Sequence, residues 1–299
     1  MSNQEFKSAR DCYTLNNGVK IPCIGFGTWE SAEGEECYNA VRWALEHGYR
    51  HIDTAAIYGN ETSVGKAIKD SHIDRSEIFV TTKLWNGQRG SYDDVLRAMH
   101  DSLTRLGLEY VDLYLIHWPQ PFEFRDRDWK ALNAETWRAM EFLYRTGKAR
   151  AIGVSNFREY HLDVLFKTAI VKPMVNQLFI NPGDQDRDNK IFCEQNGMLV
   201  EAYSPLGRSA LLKNEDIIKI AEKHSRTPAQ IILRWELDKG YLPLPKSVHE
   251  ERIASNLDLF DFKLDDDDFN ILDNLNKTSL PLHRDPQALT SYKKLDFLK

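Results

Sequence analysis

The segment YRHIDTAAIYGNE, residues 49–61, begins like a buried β-strand and ends in a polar loop. Its strand part, residues 49–54, carries His51 and Asp53, and Tyr58 follows after a short apolar step. Ionisable side chains at the carboxyl end of a strand are typical of barrels built from parallel strands and helices. The segment therefore raises the question of whether the same strand-to-loop pattern repeats along the chain.

Short apolar segments alternate with helical patterns through most of the sequence. The predicted strands are CIGFG (23–27), YRHIDT (49–54), IFVTTK (78–83), VDLYLIH (111–117), ARAIGVS (149–155), PMVNQ (173–177), MLVEAYS (198–204) and YLPLP (241–245). Eight strands with helices between most of them, at roughly 25–40 residues per unit, predict a (β/α)8 TIM barrel. A doubly wound sheet is the alternative, but GFGTWE (25–30) lacks the G-x-G-x-x-G phosphate loop of that fold.

The helical segments carry apolar residues at helical spacing and recognisable end signals. In EECYNAVRWALEHG (35–48), Tyr38, Val41 and Leu45 share a face and Gly48 occupies the C-cap position. TWRAMEFLYRTG (136–147) ends on a glycine in the same way, and TPAQIILRWELDKG (227–240) opens with an N-cap threonine and a proline. The acidic run DDDD (265–268) predicts the start of a capped helix rather than a metal site, because acids are favoured at helix N-termini.

One domain spanning residues 1–299 is predicted, because no Pro-, Gly- or Ser-rich linker interrupts the series. YTLNNGVKIP (13–22) reads as a β-hairpin turning at Asn17-Gly18, and we expect it to plug one end of the barrel. SLPLHRDPQALTSYKKLDFLK (279–299) is expected to form a C-terminal tail on the substrate side. FEFRDRDWKALN (122–133) is either a rim element or the lead-in to a helix, and its mixed charge favours the lead-in.

Composition excludes several classes of protein. The net charge of −6 argues against a nucleic-acid-binding face. The sequence has no run of eighteen apolar residues that could span a membrane, and its start, MSNQEFKSARD, lacks a secretory apolar region. The four cysteines lack ligand-like spacing, which favours free thiols in a cytoplasmic protein over a disulfide framework or a zinc site: Cys12, Cys23, Cys37 and Cys193.

Four ionisable residues lie at or just beyond the ends of three consecutive predicted strands: Asp53, Tyr58, Lys83 and His117. Each alone has an ordinary structural explanation, but together they are expected to meet at the mouth of the barrel. A tyrosine is a weak acid with a pKa of about 10, and a nearby lysine cation lowers that pKa. A carboxylate stabilises a buried lysine, and a neutral histidine can orient a substrate oxygen. The set predicts protonation of an oxygen while another group attacks the adjoining carbon.

At this point the sequence resembles the aldo-keto reductases of bacterial type. YRHIDTAAIYGNE, VTTKLWN, LIHWP, GVSNF and LPKSVHEERIASN match motifs of that family in the same order, from about residue 12 to about residue 276. The resemblance implies a (β/α)8 barrel that binds NADPH without a Rossmann domain. It also implies hydride transfer to a carbonyl carbon, with Tyr58 protonating the oxygen and Asp53, Lys83 and His117 in supporting roles.

The resemblance also implies a set of cofactor contacts. Ser155, Asn156 and Gln177 would hold the nicotinamide amide, and Tyr203 would stack on its ring. The loop over the pyrophosphate would be Ser204, Pro205, Leu206 and Gly207. The contacts at the adenosine end would come from Lys246, Ser247 and Arg252 on the 2′-phosphate and Asn256 on the adenine. Two cations and a hydroxyl beside a helix N-terminus suit a phosphate, so NADPH is expected over NADH.

The substrate is expected to be a small carbonyl compound in an aromatic-walled pocket. Trp29, Trp85 and Trp118 follow strands at the predicted mouth, whereas Trp43, Trp137 and Trp235 fall inside helices and are expected in the core. A monomer is expected. Two alternatives remain at this point, a non-catalytic NADP-binding barrel and a metal-dependent hydrolase that uses His51, Asp53 and His117. The second is weakened because His51 and Asp53 occupy different layers of the barrel.

Overall fold

The computed structural model describes residues 5–120, 124 and 127–276. The strands are β1 Cys12–Thr14, β2 Lys20–Pro22, β3 Phe26–Gly27, β4 His51–Asp53, β5 Phe79–Leu84, β6 Val111–Ile116, β7 Ala149–Ser155, β8 Val175–Phe179, β9 Leu199–Tyr203 and β10 Leu242–Leu244. The helices are α1 Glu35–His47, α2 Glu61–Asp70, α3 Tyr92–Leu106, α4 Trp129–Arg145, α5 Glu159–Leu165, α6 Arg187–Gln195, α7 Glu215–His224, α8 Pro228–Asp238, α9 Glu250–Ser255 and α10 Asp266–Asn274.

Strands β3 to β10 form one parallel sheet in which sequence neighbours are also neighbours in space. The amides of Gly25 and Gly27 donate to the carbonyls of Pro243 and Pro245, each over 3.0 Å, and so join the first strand to the last. The predicted (β/α)8 barrel is confirmed. Several strands are shorter than predicted. An apolar segment indicates which residues are buried, but it does not indicate how many of them form hydrogen bonds with the neighbouring strand.

The N-terminal hairpin closes the bottom of the barrel, as the sequence predicted. β1 and β2 pair antiparallel, and the turn between them places Gly18 at φ 85. The Tyr13 hydroxyl donates to the carbonyl of Tyr241 over 3.0 Å, and the Asn16 amide donates to the carbonyl of Pro173 over 3.2 Å. Both acceptors lie just before the barrel strands β10 and β8, so the hairpin leaves the carboxyl ends of the strands open.

The predicted helix ends are largely confirmed. Gly48 follows α1 in the left-handed conformation, at φ 112, which a side chain would disfavour. Thr227 and Gln230 form a reciprocal capping box at the start of α8, with Pro228 at the first helical position. α4 ends one residue earlier than predicted, because Thr146 occupies the C-cap position and Gly147 follows it.

The acidic run at 265–268 begins α10, as predicted. Asp265 is the N-cap and accepts a hydrogen bond from the amide of Asp268. Lys223 of α7 pairs with both carboxylates, at 2.5 and 2.8 Å, so the charge of the run is partly neutralised. Among the described residues, no three or more His, Cys, Asp or Glu side chains form a group that could hold a metal.

The core fills the barrel and the layer between barrel and helices. Every residue of β5 and β6 is buried. Trp137 and Trp235 are buried as predicted, whereas Trp43 is only half-buried against the core. All four cysteines are free thiols. Within the described ranges, none of the helices combines the length and the apolar character that crossing a bilayer requires.

Two predicted segments fall wholly or partly outside the described residues. The tail at 279–299 lies entirely outside them. Of the segment 122–133, residues 129–133 form the first turn of α4, which agrees with a helix lead-in for that portion.

Candidate active site

The four ionisable residues predicted at the strand ends come together at the carboxyl end of the barrel. Asp53 is the last residue of β4, Lys83 lies in β5 and His117 directly follows β6, while Tyr58 closes a short 3-10 turn beyond β4. The Lys83 ammonium donates to Asp53 Oδ1 over 2.6 Å, to the Thr54 carbonyl over 2.9 Å and to Tyr58 Oη over 3.3 Å. These contacts use all three of its hydrogens.

A buried asparagine braces the loop that carries Tyr58. Gly59 takes a left-handed backbone conformation, at φ 68, and turns the chain into α2. The Asn60 amide then donates to the carbonyls of Thr28 and Ser31, over 2.8 and 3.1 Å, and accepts from the Thr54 hydroxyl over 2.9 Å. Sequence reasoning missed this role, because its partners at 28 and 31 lie about thirty residues away in the chain.

The pKa of Tyr58 beside Lys83 differs in direction from the expectation. Burial alone would lower the pKa of Lys83, but the neighbouring Asp53 and Tyr58 raise it above its ordinary value. Burial raises the pKa of Tyr58, and Lys83 offsets only part of that rise. The expectation that Lys83 brings the pKa of Tyr58 below its ordinary value is therefore wrong for this structure, because it counted the lysine charge and left out desolvation. Tyr58 is a protonated phenol at neutral pH.

His117 is neutral and faces Tyr58. Burial, with the Lys83 charge, holds the pKa of His117 well below its usual range. Its ring meets the Tyr58 ring edge-on at 5.9 Å between centroids and the Trp85 ring at 5.2 Å. His117 Nδ1 has no hydrogen-bond partner in the described part of the chain. A neutral imidazole beside a protonated phenol can orient an oxygen atom that enters from above.

A cavity of about 920 Å³ opens at these residues and runs across the barrel mouth. Asp53, Tyr58 and His117 line one end of it. The lining also includes most of the residues predicted to bind cofactor or substrate: Trp29, Trp118, Ser155, Asn156, Gln177, Tyr203, Ser204, Pro205, Leu206, Lys246, Ser247, Arg252 and Asn256. Three of the predicted residues do not line the cavity: Lys83, Trp85 and Gly207. Lys83 lies behind Tyr58, and Trp85 packs on His117. Gly207 turns the 204–209 loop at φ 55.

Polar contacts join the carboxyl ends of the four strands β6, β7, β8 and β9 on the floor of the cavity. The Ser155 hydroxyl donates to the backbone carbonyl of Gln177 over 2.8 Å. The Asn156 amide donates to the His117 carbonyl over 3.0 Å and accepts from the Tyr203 hydroxyl over 2.9 Å. Asn156 itself has a left-handed backbone, at φ 63, which orients its side chain back toward β6. The four strands therefore present one fixed polar surface.

Below this surface lies a carboxyl group that sequence reasoning missed. The Gln177 amide nitrogen donates to Asp53 Oδ2 and to Glu201 Oε2, both over 2.8 Å. Glu201 is fully buried on β9, and burial followed by the Asp53 charge raises its pKa to about 8. An acidic residue inside the apolar run MLVEAYS was the signal that could have revealed it.

His51 occupies the next layer down, as predicted. It is fully buried and its Nε2 lies 2.9 Å from the Thr81 hydroxyl and 3.9 Å from Glu201 Oε1. Burial lowers the pKa of His51 to about 3, so the ring is neutral. The interpretation of His51 as a packing residue is confirmed.

The far end of the cavity is more exposed. Lys246 Nζ donates to the backbone carbonyl of Glu30 over 3.0 Å, across the cavity opening. Ser247 Oγ accepts from the amide of His249 over 3.1 Å, and Arg252 stands exposed on α9. Arg208, which sequence reasoning also missed, lines the cavity and places its guanidinium 5.6 Å from the Trp29 ring.

Known proteins resemble the chain over most of its length. The model of the Aldo/keto reductase family matches residues 23–277. The chain is 47% identical over 270 residues to a glyoxal reductase of Bacillus subtilis, covering 90% of this chain and 94% of that protein. It is 46% identical over 270 residues to a 9,11-endoperoxide prostaglandin H2 reductase of Trypanosoma cruzi, covering 89% and 92%.

A solved structure has the same architecture. The crystal structure of a Bombyx mori aldo-keto reductase in complex with NADP superposes with a TM-score of 0.82 at 37% identity, covering 89% of this chain and 93% of that one. The family model spans most of the sequence, the relatives align over nearly their whole length, and the barrel is shared. The chain therefore belongs to the aldo/keto reductase family.

Proposed function

We propose that this protein reduces aldehydes or ketones to alcohols with NADPH, and that Tyr58 donates the proton to the carbonyl oxygen. The observation that carries the proposal is the contact of one buried ammonium, Lys83, with both Asp53 and Tyr58 beside the neutral His117. Membership of the family makes the chain an NADP(H)-dependent oxidoreductase. The residue roles within this chain are the proposed part.

The cavity fits the cofactor in size and chemistry. A cavity of about 920 Å³ is at the upper end of the range for small-molecule sites. Tyr203 and the amide of Gln177 line it near Tyr58, where they would hold the nicotinamide. Lys246 and Arg252 line the far end, where their positive charges would hold the 2′-phosphate. When bound, NADPH supplies the hydride that attacks the carbonyl carbon.

The protein supplies the proton and the positive charge that stabilises the phenolate left behind. Tyr58 keeps its proton at neutral pH, because burial raises its pKa, and so is available as the acid. As the proton leaves, the Lys83 ammonium stabilises the developing phenolate over the 3.3 Å contact already present. Asp53 keeps that ammonium charged inside the barrel, and His117 donates a hydrogen bond that orients the carbonyl oxygen.

The substrate end favours a small carbonyl compound with an apolar or aromatic part. Trp29 and Trp118 line the cavity, and Trp85 packs behind His117, so the walls near Tyr58 are aromatic. The similarity to a protein named glyoxal reductase supports small aldehydes as the first compounds to test.

The proposal is tested by following the absorbance of NADPH with a panel of small aldehydes, ketones and quinones, with NADH in parallel. We expect oxidation of NADPH with at least one aldehyde and a clearly poorer reaction with NADH. If the protein binds NADPH but turns over none of these compounds, the non-catalytic NADP-binding barrel is the better account.

A further inference from the structure

Glu201 is a buried acid that the proposed reaction does not use directly. It lies on β9, one layer below the cavity, and is fully enclosed. Its Oε2 accepts from the Gln177 amide nitrogen over 2.8 Å. A carboxyl group at such depth is costly unless it is hydrogen-bonded and protonated, because desolvation penalises its charged form.

The charges around Glu201 favour its neutral form. Three charged or titratable groups face it from β4 and β5: His51, Asp53 and Lys83. Lys83 directs its three hydrogens to Asp53, Thr54 and Tyr58, and His51 is neutral, so neither side chain gives Glu201 a charged hydrogen-bond partner. With its pKa raised to about 8 by burial and by Asp53, Glu201 carries a proton at neutral pH and still offers a carbonyl oxygen as acceptor.

The two acceptors together fix the orientation of the Gln177 amide. Its nitrogen lies 2.8 Å from Asp53 Oδ2 and 2.8 Å from Glu201 Oε2, and a reversed amide would set its oxygen against the Asp53 carboxylate oxygen. Both amide hydrogens are thereby used. The amide oxygen is the atom left for a ligand, and Gln177 lines the cavity at its inner end.

We propose that Glu201 is a positioning residue, which holds the Gln177 amide so that its oxygen accepts a hydrogen bond from the carboxamide of bound nicotinamide. The proposal rests on the proposed function, since it requires NADPH in this cavity. Loss of the Glu201 acceptor leaves the amide held by Asp53 alone and free to turn about that one bond. One hydrogen bond of this kind corresponds to about a five- to tenfold change in affinity.

A matched pair of variants separates the hydrogen-bond acceptor from the carboxyl group. Glu201→Gln keeps a carbonyl acceptor of the same shape, and Glu201→Met fills the space without one. The affinity of each purified variant is measured for NADPH and for 2′-phospho-ADP-ribose, which lacks the nicotinamide. We expect E201M to bind NADPH about five- to tenfold more weakly with an unchanged affinity for the fragment, and E201Q to match the wild type.

Other results overturn the assignment. Equal NADPH affinity in E201M and the wild type would remove the role, and so would equal weakening for NADPH and the fragment. Weak binding by E201Q would show that the carboxylic acid itself is required. Wild-type protein that binds the fragment but gains no affinity from the nicotinamide would overturn the proposed function instead.

A second measurement does not depend on the folding of E201M. Infrared difference spectra of the wild type and E201Q are recorded with NADP⁺ and with 2′-phospho-ADP-ribose. We expect a protonated carboxyl band that is absent from E201Q, and that shifts with NADP⁺ but not with the fragment. A band that NADP⁺ leaves unmoved contradicts the coupling of Glu201 through Gln177 to the nicotinamide.

Discussion

The two ends of the cavity are built in different ways. At the inner end, Asp53 and Lys83 are withdrawn from solvent and held by several hydrogen bonds. At the outer end, Lys246 is half-buried with one hydrogen bond to a backbone carbonyl, and Arg252 is exposed on a helix of six residues. The side chains at the inner end are held in fixed positions by these hydrogen bonds, whereas the charged side chains at the outer end stay in contact with water.

Burial accounts for the difference. An ion pair removed from water is stable only if its geometry is good and its remaining hydrogen-bonding atoms are satisfied. Exposed charges face a smaller desolvation penalty and are screened by salt, so their positions need less support. Substitutions in the Asp53–Lys83 pair at the inner end should therefore affect folding and the chemical step, while those of the exposed cations at the outer end should affect cofactor affinity.

Asp53→Asn should destabilise the protein by about 3–5 kcal/mol at neutral pH, because it leaves the buried Lys83 ammonium without its carboxylate. The raised pKa of Lys83 means that the pair stabilises the fold fully below the ordinary lysine pKa of about 10.4. That stabilisation is lost only as the pH rises through the higher folded-state value. Urea unfolding at neutral pH measures the effect.

The matched control is the double variant Asp53→Asn with Lys83→Met, which removes both charges. It should recover much of the lost stability while remaining inactive. A single Asp53→Asn variant as stable as the wild type would contradict the account of the inner end.

Asn60→Ala should lower the free energy of unfolding by about 1–3 kcal/mol, because it leaves buried partners on Thr28, Ser31 and Thr54 unsatisfied. It should also lower the turnover number, since the Tyr58 loop loses its brace. Cofactor affinity should be nearly unchanged, because Asn60 does not line the cavity. Unfolding curves and steady-state kinetics test both parts; an unaltered turnover number would remove the bracing role.

Lys246→Met should weaken NADPH binding about tenfold, through loss of a charge-assisted contact with the 2′-phosphate. NADH binding should stay the same, and so should the stability of the fold. Titrations with both cofactors at two salt concentrations measure this. Lys66→Met is the control, because Lys66 is an exposed lysine on α2 that pairs with Asp70 and lies over the Tyr38 ring. Equal loss for NADPH and NADH would count against a phosphate contact.

The smallest effect expected is that of pH on the chemical step. The pKa of His117 lies well below its ordinary value and that of Tyr58 lies above its own. Neither group should therefore change its charge between about pH 6 and about pH 9, and the turnover number should vary little across that range. An inflection near the ordinary histidine value of about 6.5 would show that His117 titrates and is less buried than described.

The sequence was most informative where its signals are local. Turn and cap residues such as Gly18, Gly48 and Thr227 act through their own neighbours, and each was found where predicted. The convergence of Asp53, Tyr58, Lys83 and His117 followed from strand order alone, because the carboxyl ends of parallel barrel strands meet at one mouth.

What sequence reasoning missed depends on contacts between distant segments. Glu201 meets Gln177 across a strand pair, and Asn60 meets Thr28 across thirty-two residues of chain. The direction of the Tyr58 pKa was also missed, because it depends on how completely the barrel excludes water, and no local pattern reports that quantity. A polar residue that faces inward within an apolar strand is the sequence signal that would have pointed to Glu201.

The proposed reaction depends above all on Tyr58 as the acid that protonates the carbonyl oxygen. The most direct test is the rate of NADPH oxidation by Tyr58→Phe with the best aldehyde of the panel, at saturating cofactor and with NADPH affinity measured in parallel. We expect a fall in turnover of about 10²–10⁴-fold with cofactor affinity unchanged. A variant that keeps most of the wild-type turnover would contradict it.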